Sequence, residues 1–153
     1  MKVAAVQLTS TGNITENQEL ALAKIREAAG NGARLIVLPE ATAQNFRSGR
    51  LDEQAQTLEG PFATAIQALA EELEVTVVAG MFCPADTVER DGKTINRVTN
   101  TALIAGPGVL GGYDKIHTYD AFDYRESDTV LAGESLVAFD VDDLIVGVAT
   151  CYD

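Results

Sequence analysis

Three almost wholly apolar runs, spaced by two helical patterns, restrict this chain to a small set of topologies. Val3 to Leu8 reads as a strand covered on both faces. After a turn from Thr9 to Asn13, Thr15-Glu16-Asn17-Gln18 fits a capping box at a helix start. Leu20, Ala23, Ile25 and Ala28 recur near helical spacing, and Gly30-Asn31-Gly32 ends the pattern. Leu35 to Leu38 is a second buried strand. Strand, helix and strand within roughly 35 residues make a βαβ-like unit with a parallel strand pair. Gly60-Pro61 opens a second helix from Phe62 to Leu73, with Pro61 near its first turn, and Val75 to Met81 is a third strand.

The second half changes character. Asp91-Gly92 marks a tight turn at a charged hairpin tip. Asn96 to Ala105 and Val109 to Asp114 read as strands, and Leu136 to Val141 and Leu144 to Thr150 as a last hairpin turning at Asp142-Asp143. The stretches Ala41 to Glu59 and Lys115 to Gly133 are irregular, and loops of that length often carry function. The expected architecture is α/β: a sheet with a parallel part and antiparallel additions, two helices on one face, and a second sheet on the other.

At 46% hydrophobic and 22% charged, the 153 residues form one globular domain. A net charge of −12 argues against nucleic acid and anionic membranes as partners, since both bind basic patches. Cys83 and Cys151 do not make a disulfide framework, and no apolar stretch reaches the roughly 18 residues of a membrane span. A cytoplasmic location with free thiols is the expectation.

Several constellations bear on chemistry. Gly106-Pro107-Gly108-Val109-Leu110-Gly111 spells a dinucleotide-binding motif, but both its flanks read as strands, so it is a hairpin turn. Cys83, before Pro84, reads as a structural thiol. Cys151 stands where the apolar run Leu144 to Val148 ends, and Glu40 and Lys115 also end apolar runs. A carboxylate beside a thiol can accept its proton, and an ammonium beside both can stabilise an oxyanion. His117, the single histidine, offers a Cys–His pair instead. Spacing leaves both arrangements open.

Three segments carry a resemblance. Leu35-Ile36-Val37-Leu38-Pro39-Glu40, Tyr113-Asp114-Lys115-Ile116-His117 and Gly147-Val148-Ala149-Thr150-Cys151-Tyr152-Asp153 resemble, in order and separation, the three motifs of the nitrilase superfamily of carbon–nitrogen hydrolases. The opening Val3-Ala4-Ala5-Val6-Gln7 is similar to the family's first strand. The resemblance implies Glu40 as general base, Lys115 as cationic stabiliser and Cys151 as nucleophile. It also implies Glu126 as a second glutamate that orients Lys115 or assists proton transfer, and the Tyr152 backbone N–H as an oxyanion donor. Such a site needs no metal or organic cofactor, and His117 needs no role as a base.

The same resemblance implies a four-layer αββα sandwich, of which residues 1–153 supply roughly the first half. Three situations fit this: a segment of a larger hydrolase, a half-domain completed by a partner chain, or a non-catalytic binding or regulatory half-domain. The motifs look most like Nit-type amidases, which act on ω-amides of small dicarboxylic acids or on deaminated glutathione; a nitrile substrate is the weaker choice. The implied partners are a small-molecule amide, the missing half of the domain and further copies in a homo-oligomer. Arg47, Arg50 and Arg125 lie in loops within reach of such a pocket.

Overall fold

A computed structural model describes residues 1–153. The chain runs β1 (Val3–Ala5), α1 (Ile14–Gly30), β2 (Leu35–Val37), α2 (Pro61–Glu72), β3 (Thr76–Arg90), β4 (Lys93–Gly106) and β5 (Val109–Asp114). These are followed by β6 (Asp120–Ala121), β7 (Tyr124–Arg125), a 3₁₀ turn at Glu126–Asp128, β8 (Ala138–Val141) and β9 (Leu144–Gly147). β1 to β5 form one sheet in chain order. β1, β2 and β3 are parallel, and β4 and β5 are added antiparallel.

Strand alternation divides the core between the two faces of this sheet. Ile36, Val77, Ala79, Met81, Leu103 and Ala105 point to one face, where they pack with Ala21, Ile25 and Ala28 of α1 and Phe62, Ile66 and Leu69 of α2. The residues between them, Leu35, Val37, Val78 and Ile104, point to the other face and meet Phe139, Val141 and Val146 of the β8–β9 hairpin. The expected second layer therefore begins with that hairpin. No helix is long and apolar enough to cross a membrane.

Local details differ from the sequence reading: β1 ends at Ala5 rather than Leu8 and β9 at Gly147 rather than Thr150, and two further differences have a clear physical reason. Helix α1 is capped by Asn13, whose side chain accepts from the N–H groups of Thr15 and Glu16, so Thr15 lies inside the helix rather than at its cap. An amide oxygen one residue before the helix serves as well as the hydroxyl of a capping box. Strands β3 and β4 extend well past the apolar run, through Arg90 and Lys93, as an exposed hairpin with a register shift between Pro84 and Thr87. Ladder pairing rather than burial holds this arm, so apolar periodicity does not reveal it.

Candidate active site

Each of the four side chains singled out above is delivered to the same place by a different element. Glu40 follows β2, beyond Leu38 and Pro39, on a turn in which Ala41 takes a left-handed φ of 59°. That turn lies directly against β3: Leu38 N–H donates to the Val78 carbonyl and Gly80 N–H to that of Pro39. A β-carbon at position 80 would come within 2.5 Å of the Ala41 nitrogen and 2.8 Å of the Glu40 Cα, so only glycine lets the strand pass beneath. Lys115 follows β5. Its N–H donates to the Asn100 carbonyl (2.9 Å), and its carbonyl accepts from Gly133 N–H (2.9 Å). Glu126 opens the 3₁₀ turn, and its carboxylate accepts from Tyr119 N–H at 2.6 Å.

Cys151 stands on a tight turn after β9 with φ 52°, a conformation that costs a non-glycine residue energy and is found where structure holds a functional group in place. The turn is tied down by the Asp153 carboxylate, 7% exposed. It accepts from Tyr113 Oη (2.5 Å), His117 N–H (2.8 Å) and Thr150 N–H (3.0 Å). Tyr113 and His117 flank Lys115, so one carboxylate fastens the cysteine turn to the lysine strand. Although desolvation opposes its charge, these donors hold Asp153 at about 2, and the Tyr113 phenol is pushed up to about 12 by desolvation and by its bond to Asp153.

The polar centre is compact. Lys115 Nζ lies 2.9 and 3.3 Å from the two Glu126 oxygens and 3.4 Å from Glu40 Oε1. Lys115 and Glu126 are each 2% exposed. Burial opposes the lysine charge, but the Glu126 hydrogen bond and the charges of Glu40 and Glu126 outweigh it, so the ammonium is held above its usual range. The Cys151 thiol is pushed up by partial desolvation and by the charge and hydrogen bond of Glu40, with Lys115 pulling the other way. It therefore rests protonated at neutral pH and needs a base in order to react.

Glu40, Lys115, Glu126 and Cys151 line one cavity of about 410 Å³ with Phe46, Arg47, Tyr119 and Tyr124. Of the three loop arginines, only Arg47 lines it. Arg50 pairs with Asp52 and Arg125 with Asp128, whereas Arg47 makes no ion pair. The ring of His117 is 64% exposed, lies 3.1 Å from Asp153 and is not part of the cavity wall. Tyr152 packs its ring edge-on against Tyr119, and its N–H donates no hydrogen bond within the chain. Cys83 sits half-buried on β3, and burial pushes its thiol up.

Sequence reasoning missed two polar groups here. Asn100, 1% exposed, donates to Glu40 Oε1 at 2.7 Å and to Glu126 Oε1 at 3.3 Å. The available signal was Thr99-Asn100-Thr101, a polar triplet directly before the apolar run Ala102 to Ala105 of β4. The Asp153 clasp was the other, and nothing local to the sequence marks its partners.

Comparison with known proteins follows the same lines. Residues 2–153 match the carbon-nitrogen hydrolase family model. A hydrolase of Mycobacterium tuberculosis, Rv0480c, is 41% identical over all of this chain and 53% of its own length. The omega-amidase NIT2 of Danio rerio is 30% identical over 99% of this chain and 54% of its own. The chain thus spans about half the length of the curated relatives it matches. Among solved structures, the CN-hydrolase superfamily protein XC1258 of Xanthomonas campestris superposes with a TM-score of 0.79 over 98% of this chain and 52% of that one, at 23% identity, a likeness of fold.

Proposed function

This chain belongs to the carbon-nitrogen hydrolase family, and from that premise we propose that its site hydrolyses a small carboxamide through a thioester on Cys151. The observation that carries the reading is the convergence of a carboxylate, an ammonium and a thiol on one cavity from three separate elements.

Glu40 takes the Cys151 proton as the sulfur bonds to the carboxamide carbon and the carbonyl π electrons move to oxygen. The raised thiol makes this base necessary, and Glu40 lines the same cavity as Cys151. Lys115 offers a fixed positive charge for the oxyanion, and the Tyr152 N–H serves as a second donor. Glu40 then returns the proton to the nitrogen, the carbon–nitrogen bond breaks and ammonia leaves. Water attacks the thioester carbon with Glu40 again as base, the carbon–sulfur bond breaks, Glu40 returns the proton to the Cys151 sulfur and the carboxylic acid departs. Glu126, the closest partner of Lys115, orients that ammonium.

The relative named an omega-amidase, together with the unpaired Arg47 in the cavity wall, favours an amide with a carboxylate at its far end. Ammonia release by the full-length protein from ω-amides, a neutral amide of equal size and a nitrile checks this. Turnover of the ω-amide is expected, with loss of at least 10³-fold, an order-of-magnitude figure, in Cys151→Ala. Arg47→Ala is expected to raise KM for the ω-amide about tenfold and leave the neutral amide unchanged. Full turnover by Cys151→Ala would overturn the reading.

A further inference from the structure

Asn100 bonds to Glu40, to Glu126 and to the Lys115 backbone, although it has no part in any step of the proposed chemistry. Its carbonyl accepts from Lys115 N–H at 2.9 Å, fixing the lysine backbone to β4. The side-chain nitrogen donates to Glu40 Oε1 at 2.7 Å and Glu126 Oε1 at 3.3 Å. Both neighbours are acceptors, which decides that the NH₂ rather than the oxygen of the amide faces them. An amide nitrogen has two hydrogens, so one fork supplies one donor to each carboxylate.

The arrangement solves an electrostatic problem. The buried Glu126 and the partly exposed Glu40 share a single ammonium, and Lys115 lies closer to Glu126 (2.9 Å) than to Glu40 (3.4 Å). Left to the lysine, Glu40 would be the loser of that competition. Its shortest hydrogen bond comes instead from Asn100, a neutral donor that adds no second cation to attract the thiolate. Resting on the hydrolase reading above, we propose that Asn100 is a positioning residue, whose forked amide holds the Glu40 carboxylate against Cys151 while leaving Lys115 aligned by Glu126. Glu40 then meets the thiol and the leaving nitrogen without reorganising between steps, which is where misplacement of a base is most costly.

Kinetics of the full-length protein on an ω-amide, with thermal melts, for wild type, Asn100→Ala and Cys151→Ala test this. Asn100→Ala is expected to lower kcat about 10- to 100-fold with KM changed by less than about threefold. A merely structural role would lower the melting temperature and leave kcat of the folded variant unchanged. Should Asn100→Ala lack a cooperative melt, Asn100→Ser decides between the two roles, since a hydroxyl has one hydrogen and cannot serve both glutamates. Folded variants with kcat within about twofold of wild type overturn the proposal, while an inactive Cys151→Ala leaves the hydrolase reading intact. A wild type without ammonia release, or an active Cys151→Ala, overturns both.

Discussion

Lys115 illustrates how much one buried side chain can be asked to balance. It is nearly inaccessible, yet two carboxylates keep it charged. Removing it leaves the buried Glu126 carboxylate uncompensated, so Lys115→Met is expected to cost about 3–5 kcal/mol of stability, read from denaturant midpoints, besides abolishing turnover. Asp153 acts at the same scale. Its folded value is depressed to about 2, so its contribution is present above the ordinary carboxylate range and is lost as pH falls through that value. The Tyr113 value is raised to about 12, so the phenol's contribution is complete below its ordinary value near 10 and is lost as pH rises toward 12. The stability difference between wild type and Tyr113→Phe is therefore expected to be flat between about pH 4 and 10 and to shrink at both extremes. At neutral pH it is expected to be about 1–3 kcal/mol. A difference that peaks outside this window would contradict the clasp.

At the scale of elements, the site depends on how closely two strands approach. Gly80 lets β3 run under the turn that carries Glu40, and a methyl group there meets backbone rather than a yielding side chain. Gly80→Ala is expected to destabilise by about 1–3 kcal/mol and to lower kcat more than the stability loss explains, because the displaced atoms belong to Glu40 and its neighbours. Thermal melts and kcat on the same preparation check this. What was legible in the sequence belongs largely to this scale. The apolar runs Leu35–Leu38 and Val75–Met81 placed the parallel strands, and the ends of apolar runs offered Glu40, Lys115 and Cys151 as candidates, which the motif resemblance rather than spacing joined into one site. The exposed arm of β3 and β4 was not legible, since cross-strand pairing leaves no periodic apolar trace. Nor were the Asn100 fork and the Asp153 clasp, which depend on residues 60 and 40 positions away in the chain.

Taken as a whole molecule, the 153 residues bury one face of the sheet under two helices and begin to cover the other with a single hairpin. Val3 of β1 and Leu144 and Ile145 of β9 are left 52%, 51% and 80% exposed, and Phe122 on the β6–β7 turn is 96% exposed. Large apolar side chains left in solvent attract apolar partners. Residues 1–153 expressed alone are therefore expected to bind a hydrophobic dye such as ANS. Absence of dye binding would contradict it.

The central claim is that Cys151 forms a covalent bond to the substrate's acyl carbon. Acid quenching of the full-length protein during turnover of an ω-amide, followed by peptide mass spectrometry, tests it most directly. An adduct of substrate mass less ammonia is expected on the peptide carrying Cys151 and absent from that carrying Cys83. Continued ammonia release with no adduct on Cys151 at any quench time, in the presence of a slowly deacylated substrate, would contradict the mechanism.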